Sequence, residues 1–85
     1  MDEVTIWFAD KMGSDIHYSV SNMYYDKHQK FPNIDKEFPS FLNKLGYPCR
    51  VVSEQIWHED RKKHRTIYGI RMDAVTATAF ILRFG

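Results

Sequence analysis

Between Glu3 and Ala9 the chain alternates, with Val4, Ile6 and Phe8 on one face and Thr5 and Trp7 on the other. A period of two carried by β-branched and aromatic residues predicts a strand. Trp7 makes the second face partly apolar as well, which points to a central strand rather than an edge. Asp10–Gly13 breaks the pattern, and Gly13 permits a turn. From Ser14 the spacing changes. Ile16, Val20, Met23, Tyr24 and Lys27 recur every three or four residues, the stripe of an amphipathic helix, with Ser14 as its cap and Asp15 near its positive end. Ile16, Tyr18 and Val20 also alternate with His17, Ser19 and Ser21, as a hairpin partner of the first strand would. The pattern continues through Tyr25, and that length decides for the helix.

Phe31-Pro32-Asn33 ends this segment, because proline biases the residue before it away from helical geometry. A second helix is predicted from about Phe38, with Phe38, Phe41, Leu42 and Leu45 as its buried stripe. Gly46 suits a left-handed cap after it, and Pro48 prevents continuation. Arg50–His58 and Thr66–Met72 read as strands, the latter with Tyr68, Ile70 and Met72 on one face. Between them Glu59–His64 is entirely charged or His, the composition of a solvated hairpin loop. Asp73–Thr78 reads as a helical turn or an irregular crossover. Ala79–Phe84 reads as a closing strand with Phe80, Leu82 and Phe84 on one face. The expectation is one α+β domain over residues 1–85: a single antiparallel sheet of about four strands, covered on one face by two helices, in the order β-α-α-β-β-β. Ile6, Phe8, Phe41, Leu42, Leu45, Ile70, Leu82 and Phe84 are its predicted core.

Composition narrows the function classes. In an 85-residue chain the core is thin, so the 15% of aromatic residues carry much of the burial. A single cysteine excludes an intrachain disulfide and a Cys-based zinc site. No apolar run approaches the ~18 residues of a membrane span, and the N-terminus lacks a secretory pattern, so a cytoplasmic protein is expected. Twelve Lys and Arg against eleven Asp and Glu give +1, which is no global signature of nucleic-acid binding. By segment the balance is uneven: residues 1–30 are mildly acidic, and the positive charge gathers at 61–65.

That run, Arg61-Lys62-Lys63-His64-Arg65, is the most distinctive feature. Several cations on a two-stranded ribbon can contact phosphates in a DNA groove, and flanking Trp57 and Tyr68 can stack on single-stranded bases. Glu59 and Asp60 partly neutralise the run, and hairpin tips need charge for solubility alone. His58, Glu59, Asp60 and His64 are metal-ligand types, but their spacing on a polar loop offers no rigid site, so no metal or cofactor is expected. Cys49, beside Pro48 and without a neighbouring base, reads as a small buried hydrophobe.

The element order resembles that of bacterial ribosome-dependent RNase toxins of the RelE type. The resemblance implies an RNase in which Lys63, His64, Arg65, Tyr68 and Arg71 on the sheet polarise a phosphate and shuttle protons. It covers element order only, and no motif accompanies it.

The aromatics support another reading. Tyr and Trp, with Met and Arg, are enriched in protein interfaces, and Tyr18, Tyr25 and Trp57 are candidate anchors. The leading expectation is therefore a non-enzymatic regulatory or inhibitor protein that occludes a protein partner, of the kind bacteria and phages encode as short genes. Trp57, Tyr18, Tyr25 and Tyr68 would form the contact, with Arg61, Lys62, Lys63 and Arg65 as a charged rim that speeds association. The alternative is a nucleic-acid-binding protein using the same basic hairpin. Neither reading assigns catalytic residues.

Overall fold

The computed structural model describes residues 2–85 and runs β1 (Glu3–Trp7), α1 (Lys11–His28), α2 (Glu37–Lys44), β2 (Arg50–His58), β3 (Lys63–Asp73) and α3 (Ala74–Phe84). The strands form one antiparallel sheet in the order β1-β3-β2. β1 pairs with the far end of β3, from Glu3↔Asp73 to Trp7↔Gly69, and β2 pairs along nearly all of β3, from Arg50↔Arg71 to His58↔Lys63.

Alternation along each strand fixes two faces. Val4 and Ile6 of β1, Val51 of β2, and Ile70 and Met72 of β3 point toward the helices. There they meet Ile16, Val20 and Tyr24 of α1, Phe38, Phe41 and Leu42 of α2, and Ala77, Phe80 and Phe84 of α3. Thr5, Trp7, Val52, Ile67 and Arg71 lie on the opposite face, which no helix covers. Phe38 joins α2 to the rest, edge-on to Phe8 at 5.3 Å and stacked on the His17 ring at 5.2 Å. Burial beside these rings lowers the His17 pKa.

Glu37 ties α1 to α2. Its carboxylate accepts from the Tyr24 hydroxyl at 2.7 Å and the Asn33 backbone N–H at 3.0 Å, and pairs with Lys30 at 3.1 Å. The Tyr24 hydrogen bond first, then those from Asn33 and Lys30, pulls the Glu37 pKa down to about 2. Asn33 in turn accepts from the Lys36 N–H, so one short turn is closed from both ends.

The α+β class, the single antiparallel sheet and the helix through 14–28 agree with the sequence reading. Gly46 is left-handed at φ 98°, as a cap after the second helix requires. Other expectations need correction. Among the described residues the sheet has three strands rather than four, and three helices cover it rather than two, because Ala74–Phe84 is helical. Asp73 accepts from the Thr76 N–H at 2.9 Å and its hydroxyl at 2.8 Å, so a side-chain cap converts the end of β3 directly into α3. In that helix Ala77, Phe80 and Phe84 share the inner stripe. Leu82, expected in the core, is 83% exposed. Phe8 and Leu45 are only partly buried at the edge of the core.

β1 is an edge strand, not a central one. Its second apolar face is used by Trp7 lying over Gly69, where a β-carbon would sit 2.9 Å from the indole. The first helix begins at Lys11 rather than Ser14, with Asp10 at its cap position. The hairpin loop is Glu59–Lys62, so Lys63 and His64 belong to β3. No described helix is long and apolar enough to cross a membrane.

Candidate interaction surface

β1 stops at Trp7, with one further bond from the Phe8 N–H to the Tyr68 carbonyl, while β2 and β3 continue together, so the pairs from Glu54↔Ile67 to His58↔Lys63 form a two-stranded ribbon beyond the end of β1. At ~3.3 Å per residue it extends roughly 13 Å. The residues of β2 from Ser53 to Trp57 are all exposed.

The ribbon has two chemically different faces. The inner one, continuous with the helix-covered side of the sheet, carries the cross-strand pairs Ser53–Tyr68, Gln55–Thr66 and Trp57–His64. Its six strand positions carry no acid, lysine or arginine, though the Glu59 carboxylate reaches it from the loop and Arg65 borders its foot. Trp57 is 51% exposed yet held: its indole Nε1 donates to Glu59 at 2.6 Å, and the His64 ring meets it edge-on at 5.2 Å. At the foot of this face Thr66 and Tyr68, with Phe8, Ala9, His17 and Ile34, line a hollow of about 210 Å³ that Arg65 and Ile67 also border. The outer face carries Glu54, Ile56, His58, Lys63, Arg65 and Ile67. His58, Arg61 and Arg65 border a second hollow of about 400 Å³ there. Lys62, left-handed at φ 51° in the loop, pairs with Glu59 at 3.7 Å.

The structure divides the residues singled out from the sequence. Trp57 and Tyr68 share the inner face of the ribbon. Lys63 and Arg65 lie on the outer face, with Arg61 and Lys62 in the loop between. Tyr18 and Tyr25 sit one heptad apart on the exposed side of α1, opposite its buried Ile16, Val20 and Tyr24, where Tyr25 packs on the exposed Phe31 at 4.9 Å. These two tyrosines therefore form a patch separate from Trp57 and Tyr68. The set that the toxin resemblance implies is split too: Lys63, Arg65 and Arg71 project on one face of β3, His64 and Tyr68 on the other.

Among the described residues no group of three His, Cys, Asp or Glu side chains is placed to hold a metal ion. The Cys49 thiol is half-buried, and desolvation pushes its pKa up to about 11, the opposite of an activated nucleophile. Sequence reading missed the hollow beneath the ribbon, because Phe8, His17 and Ile34 come from three separate segments. Comparison with protein-family models, curated proteins and solved structures gives no match to this chain.

Proposed function

We propose that this chain is a non-enzymatic regulatory or inhibitor protein, working in the cytoplasm, that binds a protein partner through the inner face of the β2–β3 ribbon. One observation carries the reading: the ribbon presents a face whose strand positions carry no acid, lysine or arginine, built around a half-exposed indole already held by a hydrogen bond to Glu59. Interface centres are depleted in charge and enriched in aromatics, and a side chain held before binding loses little entropy on contact. Trp57 is the anchor and Tyr68 its companion. The hollow at the foot of the ribbon can receive a side chain of the partner. Arg61, Lys62, Lys63 and Arg65, displaced to the tip and outer face, act as a rim that steers the encounter.

The outer face supports a second reading. Arg61, Lys63 and Arg65 form no salt bridge among the described residues and cluster beside His58, an arrangement suited to nucleic-acid phosphates. Base stacking on Trp57 and Tyr68 would take place on the other face of the ribbon, which Arg65 reaches at the hollow beside Tyr68.

Capture from nuclease-treated lysate of the source cell, with wild type and Trp57→Ala in parallel, tests the proposal. A partner retained by wild type in both ~0.1 M and ~0.5 M salt and lost from the variant supports it. Capture that disappears with nuclease, or falls steeply with salt as phosphate contacts require, overturns it in favour of nucleic acid.

A further inference from the structure

The hydrogen-bond phase of the sheet shows which main-chain groups are left over. The Phe8 N–H donates to the Tyr68 carbonyl and the Ala74 N–H to the Asp2 carbonyl, so the even-numbered residues of β3 turn their main chain toward β1. In an antiparallel ladder the next residue turns the other way. Gly69 and Arg71 therefore bond to β2, and through the register they engage Val52 and Arg50. It follows that Val51, Ser53, Gln55 and Trp57 direct their N–H and C=O groups away from the sheet. Cys49, in the same phase, confirms the direction: its carbonyl is met from outside by the Asn43 side-chain amide at 3.3 Å. Beyond Cys49 no such cap follows. No hydrogen bond among the described residues reaches the outward main chain of those four positions.

Natural sheets blunt an open edge with lysine, proline, a bulge or a covering loop. β2 has no lysine or proline over its nine residues, its charged side chains are Arg50 and Glu54 alone, and its register with β3 is unbroken from end to end. We infer that the outer edge of β2 is a docking site for an extended segment of a partner protein, which adds antiparallel to β2 as a fourth strand. The inference rests on the protein-binding reading above and names what that partner presents.

Charge along the edge favours a foreign strand over a second copy. A twofold pairing of β2 with itself that uses all four outward residues matches Val51 with Trp57 and Ser53 with Gln55, and it sets Glu54 directly against Glu54 of the other copy. Like charges placed opposite one another destabilise a strand pair. Shifting the pairing toward Arg50, so that Arg50 meets Glu54, runs into the Asn43 cap at Cys49. Shifting it toward His58 removes the Glu54 clash but leaves Val51 opposite the Glu59 turn, so only three of the four outward residues pair. A partner strand with a basic residue facing Glu54, an acidic one facing Arg50 and apolar ones facing Val52 and Ile56 pairs with all four outward residues and sets no like charges opposite one another. Its opposite side lies along Val51, Ser53, Gln55 and Trp57, so it calls for uncharged side chains. Edge pairing and the Trp57 face thus belong to one surface.

The probe is a capped nonapeptide, Thr-Ile-Val-Thr-Lys-Thr-Val-Val-Glu, titrated into the isotopically labelled chain while backbone amide signals are followed. The amides of Val51, Ser53, Gln55 and Trp57 are expected to shift and to exchange more slowly with solvent. N-methylation of the fourth and sixth peptide residues, whose amides face β2, should weaken binding at least tenfold; methylation of the fifth and seventh should not. Absence of these shifts at millimolar peptide, equal binding by the two methylated forms, or protection of the same amides on concentrating the free chain, which makes a second copy the occupant, would each overturn the inference. Gln55→Pro removes only an outward N–H, a change that edge strands accept, and should weaken a partner captured by wild type at least tenfold while the cooperative melt is kept. If Trp57→Ala abolishes that capture and Gln55→Pro does not, strand addition falls and the protein-binding reading stands. If neither variant matters, both fall.

Discussion

Replacing Phe80 and Leu82 by alanine, separately, gives opposite results for a C-terminal helix and a C-terminal strand. A strand over 79–84 buries both side chains on one face. The helix α3 buries Phe80 completely, with its ring 5.4 Å from Tyr47 and 5.1 Å from Phe84, and leaves Leu82 83% exposed. Phe80→Ala removes a whole ring from a closed site and leaves a cavity among rings fixed by α3 and the Tyr47 segment, which costs about 3–5 kcal/mol. At 0.05–0.15 kcal/mol per residue the whole domain holds roughly 4–13 kcal/mol, so this one change removes a large share. The melting temperature should fall by roughly 12–40 °C. Leu82→Ala should stay within about 0.5 kcal/mol, since alanine is at least as good a helix former and little burial is lost. Urea unfolding followed by circular dichroism and tryptophan fluorescence measures both. Equal, large losses for the two variants would refute the helical assignment and restore a strand.

Two further outcomes follow from contacts already described. Glu37 has its folded pKa lowered to about 2 from an ordinary 4.5, so its stabilising effect is complete above about 4.5 and is lost as pH falls toward 2; Glu37→Gln should flatten that stretch of the melting curve against pH, and an unchanged curve would show the latch to be unimportant. At Gly13 a β-carbon would lie 1.8 Å from the Trp7 carbonyl oxygen, so Gly13→Ala, normally favourable within a helix, should lower the denaturation midpoint by pushing α1 off the end of β1.

Most of the local structure was legible because it is written in periodicity. The stripe from Ile16 to Tyr24, the alternation around Ile70, and Gly46 after the second helix each reflect one element burying one face. The C-terminus misled because Phe80, Leu82 and Phe84 alternate by coincidence while Ala77, Phe80 and Phe84 also satisfy a helical stripe. The discriminating signal was Asp73, a capping residue followed by a helix-favouring Ala74 and by Thr76, whose N–H the cap accepts. Trp7 misled differently: an indole can spend its apolar surface on a glycine main chain, which no strand-by-strand pattern reveals. Trp57 and Tyr68 stood out in the sequence, and so did the basic run. Their segregation to opposite faces did not, because it depends on register: moving the hairpin loop from Glu59–His64 to Glu59–Lys62 brings Lys63 and His64 into the alternating ladder. The separation of Tyr18 and Tyr25 from Trp57 is likewise a matter of packing direction, set by which side of α1 meets the sheet.

Among the described residues β1 pairs with β3 alone, far along the chain, and Arg71 reaches Thr5 at 2.9 Å across a separation of 66 residues. During synthesis the first strand emerges long before anything can pair with it. α1 and α2, and then the β2–β3 hairpin, can form from neighbouring sequence, whereas closing β1 onto β3 must wait until Asp73 has left the ribosome. Contacts of such span slow the search for the native state. Until that step, Val4, Ile6 and Trp7 remain exposed on a lone strand, and this interval is when the nascent chain is most open to aggregation or to capture by a chaperone.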